Sequence, residues 1–402
     1  MDITLGEISY VANNMSVFEK LGPFVSLCQA CGMIPYSIKI NSITNQFEKF
    51  TFSFKHFNTW WFFFMLVLQL SLFSAAPLFY QEVFQALLSD RTMPLIFTIL
   101  TGTVSFSYLA QFLTCRWITL RYKQLRNAVE AVQEVERLFG EIFIAQHQSS
   151  SLVTRTAIGF TLAVTTSTVA LCVMFPIFQS FLPTNLDMFT ATAFFSILTS
   201  INIMFECQYL LIHLSYYIIA HYIKLLSLHF DAVEDDQLPA TLNNRAEKKL
   251  EGNALIFAHL CRASSQLNDI FSGPVLFLLT TKFLSIVTCA YAWIFNLIHA
   301  NEVLDDFSLV FPFLFFTDWI RLLILLSTAD MPAHQVRLLR ERLTSATHSK
   351  FAQLTDSMVI TLLQINEDRV RLSAAGLFQV GVHLIPSLIG AVVTYMVILL
   401  QN

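Results

Sequence analysis

Seven apolar stretches alternate with polar segments along this chain of 402 residues. Each apolar stretch reaches the length of about 20 residues that an α-helix needs to cross a bilayer. None shows the two-residue alternation of a transmembrane β-strand, so helices must satisfy the backbone polar groups in lipid. The pattern predicts an all-α polytopic membrane protein with seven transmembrane helices. These predicted spans are 58–80, 94–115, 152–177, 188–225, 274–299, 307–329 and 376–401.

The polar segments between the predicted spans fall into two alternating sets. The segments 81–93, 178–187 and 300–306 are short, which leaves no room for a separate ligand-binding domain on their side. The segments of the other set are longer. Within them, 116–146 and 349–374 carry apolar stripes at helical spacing, which predicts helical extensions beyond the membrane. Segment 231–252 is polar and predicts a loop.

Composition excludes a soluble domain. Only 13% of the residues are charged, against about 25% in soluble domains, and 55% are hydrophobic. Exposed to water, such a chain would present large apolar patches. Segment 1–56 has no basic-then-apolar start and no small-residue cleavage site, so we expect no signal peptide and an insertion signal in the first span.

The distribution of basic residues predicts the orientation. Of the 24 Lys and Arg residues, 19 lie in 1–56, 116–151, 226–273 and 330–375, whereas the alternate set of segments holds only Arg91. The positive-inside rule then places the N-terminus in the cytosol and the C-terminus outside the cell, as expected for a protein of the plasma membrane. This orientation is the reverse of that of a G-protein-coupled receptor.

Ionisable residues inside predicted spans are candidates for function. Asp318 and Arg321 lie three residues apart and therefore share a helix face. They either form a structural ion pair or line a polar pocket for a small organic ligand. Glu206 has the same two interpretations, whereas Lys282 is expected to extend towards the membrane surface. The candidate ligand-binding residues are Thr165, Thr168, Tyr291, Trp293, Asn296, Thr317, Asp318, Trp319 and Arg321.

The last span carries polar residues in a regular arrangement. Thr394, Ile398 and Gln401 fall on one helical stripe, and Tyr395 and Leu399 form the adjacent stripe. A line of polar and apolar positions suits a water-filled path with an apolar constriction. The alternative is a helix packed by interhelical hydrogen bonds. Because one helix cannot enclose a pore, the pore interpretation requires an oligomer. The three short segments hold six acidic residues and one basic residue, Arg91. This excess of negative charge raises the local concentration of cations and favours a cation channel.

The end of the chain resembles a known family. The stretch AAGLFQVGVHLIPSLIGAVVTYMVILLQ (374–401) is similar to the C-terminal signature of insect gustatory receptors. In that family a small-residue-Gly-Leu-Phe stretch precedes Thr-Tyr, five mostly apolar residues and Gln. The resemblance implies a tetrameric ligand-gated cation channel, homomeric or heteromeric, with the last helices around one pore. It also implies a cytosolic anchoring domain and a ligand pocket in each subunit.

The resemblance assigns roles to the final residues. Thr394, Tyr395 and Gln401 match the motif, with Gln401 near the gate. Asn402 stands where the family usually has Phe, so Leu400, Leu399 or Ile398 is expected to close the pore, or the channel leaks. Met396 replaces the acid that is common in the sugar-sensing branch, which favours a bitter or other non-sugar tastant. The expected pore residues are Thr394, Tyr395, Ile398, Leu399, Leu400, Gln401 and Asn402.

Together these patterns predict three regions: a cytosolic segment 1–57, six helices with the ligand-binding bundle over 58–348, and an anchor helix followed by the pore helix over 349–402. The predicted function is a tastant-gated, non-selective channel for monovalent and divalent cations. The alternatives are an odorant-receptor-type channel and a G-protein-coupled-type chemoreceptor. The chain lacks the glycine-rich, H-E-x-x-H and G-x-S-x-G motifs, so we expect neither enzyme activity, cofactor, metal nor nucleic-acid partner.

Overall fold

The computed structural model describes residues 22–30, 32–40, 47–51, 53–71, 95–142, 188–235, 243–298, 310–350 and 365–401. The predicted third span, 152–177, lies outside these residues. Two short antiparallel hairpins accompany the helices: β1 (Ser37–Ile40) with β2 (Phe47–Thr51), and β3 (Ser373–Ala374) with β4 (Phe378–Gln379). The α-helices of the described residues are α1 (Gly22–Ala30), α2 (Phe57–Ser71), α3 (Leu95–Leu120), α4 (Tyr122–Ile142), α5 (Met188–Asp235), α6 (Asn243–Ile298), α7 (Val310–Lys350) and α8 (Ile385–Gln401).

The mostly helical architecture confirms the predicted membrane fold. Six predicted spans coincide with described helices, although the first is described only to Ser71. By length and composition, four segments of the described residues qualify to cross a membrane: Ile201–Leu228, Gly252–Phe295, Phe311–Thr344 and Val382–Gln401. The 56 residues of α6 extend over about 84 Å, well beyond a hydrocarbon core of about 30 Å. Part of this helix must therefore lie beyond the membrane.

The predicted amphipathic helix over 116–146 is divided in two. A turn at Arg121 separates α3 from α4, and α4 packs its apolar stripe, including Val135 and Phe139, against α6 in the larger of the two apolar cores of the described residues, which we call the main core. Arg126 and Glu130 form the expected i,i+4 pair, with Nε and Oε1 2.6 Å apart. The prediction of a loop over 231–252 is wrong at both ends, because α5 continues to Asp235 and α6 begins at Asn243.

Two predictions near the C-terminus need correction. The described part of 349–374 is not α-helical from 365 onwards, and the last α-helix begins at Ile385 and not at 376. Residues 365–384, which we call the hairpin segment, precede α8 and hold β3, β4 and two single 3₁₀ turns. Ala375 and Gly376 have φ angles of 52° and 74°, in the left-handed region, and form the turn between β3 and β4. Pro386 then suits the first turn of α8, where no N–H is required.

The N-terminal segment is held against the bundle through a buried arginine. The guanidinium of Arg116 on α3 donates to the carbonyl of Gly32 and to the side chain of Gln69 on α2. It also lies over the ring of Phe62, 4.9 Å from its centroid. Buried apolar side chains around this contact form a second core with α3 and α5: Cys28, Met33, Ile34, Tyr36, Phe112, Cys115, Ile201, Met204, Phe205, Cys207, Leu210 and Leu214.

Candidate functional site

Four ionisable side chains meet between α5, α6 and α7. Nζ of Lys282 on α6 lies 2.7 Å from Oδ1 of Asp318 on α7, and the Ser285 hydroxyl donates to Oδ2 at 2.6 Å. Arg321, one turn further along α7, pairs with Glu206 on α5 and has Nη1 3.7 Å from Oδ1 of Asp318. We call these four charged residues, with Ser285, the ionic network. Its two acids and two bases carry no net formal charge.

Burial makes the pairing within the ionic network necessary. The side chains of Asp318 and Lys282 are only 6% and 11% exposed. A charge at such a site is strongly destabilising unless an opposite charge and hydrogen bonds compensate it. The expectation that Lys282 extends towards the membrane surface is wrong, because its ammonium instead meets a carboxylate of the neighbouring helix. This contact depends on how α6 and α7 pack, which no local sequence pattern reveals.

The predicted pocket around Asp318 is only partly assembled. Asp318 and Arg321 share a face, as expected from their spacing, and both turn towards α5 and α6. Thr317 instead donates its hydroxyl to the Phe313 carbonyl of its own helix at 2.7 Å. Trp319 packs edge-on against Phe315, with centroids 6.4 Å apart. Consecutive helical residues point about 100° apart, which separates these three neighbours. Their role in ligand binding stays a prediction.

An aromatic cluster lies towards one end of the same helix pair. The ring of Trp293 on α6 contacts Phe315 and Phe316 on α7 at centroid distances of 6.0 and 5.9 Å. Tyr291, which is buried, packs against Phe295 at 6.0 Å. Such rings provide the apolar lining that small organic ligands require. Of the other ligand candidates, Thr165, Thr168 and the side chain of Asn296 lie outside the described residues.

The last helix, α8, packs on the bundle through one narrow face. Val392 and Met396 are buried in the main core, and Leu388 and Leu399 contact it in part. The ring of Tyr395 meets Phe283 of α6 edge-on, with centroids 6.0 Å apart. Leu399, one of the expected pore residues, therefore faces its own bundle. Tyr395 also contacts the bundle although half of its surface is exposed.

The opposite face of α8 is open in the single chain. Thr394, Ile398 and Gln401, the predicted polar stripe, are all exposed there. Val393 and Val397 flank them with 56% and 49% of their surfaces exposed. A helix surface that is apolar over most of its length needs lipid or another protein surface as its partner. Leu400 lies at the edge of this open face, and Asn402 is outside the described residues.

The hairpin segment ties α8 to α6 and α7. The amide of Ala375 donates to the Ser272 carbonyl of α6 at 2.9 Å, and the amide of Ser373 donates to the Asn268 side chain at 2.8 Å. The buried side chains of Val370, Leu372 and others join the main core. A displacement of either long helix would therefore act directly on the start of α8.

An ion cluster completes this attachment. Glu367 bonds Arg337 of α7 at 2.9 Å and Arg371 at 3.1 Å. Burial raises the pKa of Glu367, but hydrogen bonds and charges from the two arginines outweigh this effect and hold the pKa below its ordinary value. Glu367 is thus ionised and anchors the hairpin segment to α7.

Two features of these sites escaped prediction from the sequence. The pairing of Lys282 with Asp318 had one available signal, since the two residues carry opposite charges within neighbouring predicted spans. The contacts of the hairpin segment had none, because they join residues about 100 positions apart.

Helices long and apolar enough to cross a membrane, with paired charges buried between them, are typical of a polytopic membrane protein. The chain belongs to the 7tm chemosensory receptor family, whose sequence model matches residues 21–401. This match confirms the resemblance to chemosensory receptors indicated by the last span. No curated protein matches the chain in sequence.

Solved structures share the fold. The insect olfactory receptor OR5 from Machilis hrabei in complex with eugenol has a TM-score of 0.65 and 13% sequence identity, over 97% of this chain and 99% of that receptor. A second structure of the insect olfactory receptor OR5 from Machilis hrabei has a TM-score of 0.62, with the same identity and coverage. At such low identity the likeness concerns the fold alone.

Proposed function

We propose that this chain is a gustatory receptor that acts as a tastant-gated, non-selective cation channel of the plasma membrane. Four copies, identical or mixed with related chains, surround one pore, and the open face of α8 lines it. One observation carries the proposal: the stripe of Thr394, Ile398 and Gln401 is exposed on a helix whose other side packs on the bundle. Polar groups in such a position are costly in lipid and favourable beside water.

The distribution of basic residues supports the orientation. It places the N-terminus, α4, and the hairpin segment in the cytosol and Gln401 near the outer mouth of the pore. The exposed side chains of Ile398 and Leu400 are then the apolar residues nearest to this mouth on the open face. They close the pore in place of the Phe that Asn402 replaces.

The ligand is a small tastant, bitter or otherwise not a sugar. The absence of an acid after Thr394 and Tyr395, where Met396 stands, supports a non-sugar ligand. The aromatic rings between α6 and α7 offer an apolar lining beside the ionic network. We propose no catalytic step, because binding alone gates the pore.

An odorant-type channel is the second candidate. The receptor of similar fold is described as an olfactory receptor in complex with eugenol. The two candidates share the pore and differ in the ligand, so a panel of volatile and non-volatile compounds distinguishes them.

The test is whole-cell recording from cells that express the chain without added G protein. We expect ligand-evoked current carried by Na⁺, K⁺ and Ca²⁺, with Gln401→Ala changing the relative permeability. Thr280→Val, on α6 and outside both α8 and the ionic network, is the control and should leave the permeability unchanged. Surface expression without current for any compound would contradict the proposal, and an extracellular N-terminal epitope would favour a G-protein-coupled receptor. Substrate turnover or uptake without current would indicate an enzyme or a transporter.

A further inference from the structure

Arg321 has two acidic neighbours on different helices. Its guanidinium pairs with Glu206 on α5, and its Nη1 lies 3.7 Å from the Asp318 carboxylate on its own helix, α7. A distance of 3.7 Å is too long for a hydrogen bond, but a change of side-chain torsion closes it. Arg321 thus has one acid in direct contact and a second within reach.

The two pairings join different parts of the bundle. The pair of Arg321 and Glu206 links α5 to α7, and the Tyr209 hydroxyl strengthens this link by donating to the Arg321 carbonyl. A pair of Arg321 and Asp318 would lie within α7 alone. Lys282 would meanwhile hold Asp318 to α6, as it does in this structure. The contact between α5 and α7 can therefore open while α6 and α7 stay joined.

We propose that Arg321 is a switchable link that pairs with Glu206 when α5 is docked on α7 and with Asp318 when ligand binding moves α5 away. An unpaired buried charge is strongly destabilising, and the exchange keeps Arg321 paired in both arrangements. In the second arrangement the Glu206 carboxylate loses its partner, and the free energy of ligand binding must offset that cost. An element with two discrete packings of similar free energy is what a conformational switch requires. The link to gating rests on the proposed channel function.

Two variants act on the two pairings separately. Glu206→Gln removes the acid on α5 and leaves Asp318 for Arg321. The double variant Asp318→Asn with Lys282→Gln removes the acid on α7 together with the base that it neutralises, and leaves Glu206 for Arg321. We expect Glu206→Gln to raise the basal current and to lower the half-maximal ligand concentration about fivefold or more. We expect the double variant to raise that concentration about fivefold or more.

The control for both variants is Thr280→Val. Thr280 lies on α6, donates its hydroxyl to the Leu276 carbonyl of its own helix at 2.9 Å, and is outside the ionic network. It should leave the ligand dependence unchanged. Shifts in the same direction for the two variants, or no shift at normal surface expression, would overturn the proposal, because a purely structural network predicts no opposite effects.

A second measurement does not depend on channel function. The change Glu206→Gln is introduced both into the wild-type protein and into the double variant. For each background, the drop in thermal midpoint that it causes is measured on the detergent-solubilised receptor. If Arg321 exchanges partners, Asp318 compensates it in the wild-type protein, so Glu206→Gln lowers the midpoint little. In the double variant the same change leaves Arg321 without either acid, and the drop should be about twofold larger or more. Equal drops would refute the exchange even if the receptor conducts, and unequal drops would support it even if no ligand evokes current.

Discussion

The pair of Lys282 and Asp318 leads to a prediction about unequal single variants. In Lys282→Met, the Asp318 carboxylate keeps the Ser285 hydroxyl at 2.6 Å and the Arg321 guanidinium at 3.7 Å. In Asp318→Asn, the Lys282 ammonium loses its carboxylate partner and remains near the positive charge of Arg321. The loss of the acid should therefore destabilise the receptor more than the loss of the base.

The burial of the pair sets the magnitude. The side chains of Asp318 and Lys282 are 6% and 11% exposed. Removal of one partner of such a buried pair lowers the free energy of unfolding by about 3–5 kcal/mol. We place Asp318→Asn at the upper end, about 5 kcal/mol, and Lys282→Met at the lower end, about 3 kcal/mol. The combination of Lys282→Met with Asp318→Leu should cost less than either single variant, since no charge of the pair is left buried and uncompensated.

The measurement is the heat-induced loss of the monodisperse peak of detergent-solubilised receptor, followed by fluorescence-detected size exclusion. Thr280→Val serves as the control for a change on α6 outside the ionic network. The reasoning would be refuted if the decrease in thermal midpoint for Lys282→Met with Asp318→Leu equals the sum of the decreases for the single variants. It would also be refuted if Lys282→Met lowers the midpoint more than Asp318→Asn does. The first result would mean that the two side chains do not compensate each other. The second would mean that Ser285 and Arg321 do not stabilise the Asp318 carboxylate when Lys282 is absent.

Two further predictions concern the attachment of the terminal segments. Gly32→Ala should destabilise the receptor by about 2–5 kcal/mol, because φ is +65° at Gly32 and an added Cβ would lie 2.7 Å from the Cβ of Met65. An unchanged thermal midpoint would contradict this packing. Glu367→Gln should lower the thermal midpoint most at pH values above the ordinary carboxyl pKa of about 4.3. The difference in midpoint from wild type should shrink as the pH falls through the lowered pKa of Glu367 in the folded protein. A difference in midpoint that is constant between about pH 6 and pH 3 would contradict the pairing of Glu367 with Arg337 and Arg371.

The hydrophobic pattern and the charge distribution account for what was predicted well. A transmembrane helix must satisfy its backbone within its own segment, so span length and composition identify it without knowledge of its neighbours. The same local logic predicted the i,i+4 pair of Arg126 and Glu130 and the shared face of Asp318 and Arg321. The pattern also identified the stripe of α8 that proves to be open, because helical spacing alone decides which residues share a face.

Local patterns failed where the chain departs from a regular helix. The last span appeared to begin at 376 because residues 376–384, the second half of the hairpin segment, are mostly apolar and contain no Asp, Glu, Lys or Arg. Its turn depends on left-handed backbone at Ala375 and Gly376, and its place depends on hydrogen bonds to α6. Apolar composition reports burial, in protein or in lipid, but does not distinguish a packed turn from a span.

By itself, then, the sequence determined that the chain is a helical membrane protein of chemosensory type, and which residues of each helix share a face. Only the tertiary structure decided which faces meet: that Lys282 binds Asp318, that Arg321 reaches Glu206, and that Leu399 turns towards its own bundle. The physical reason is that periodicity is a property of one helix, whereas partner choice depends on the rotation and depth of each helix against its neighbours.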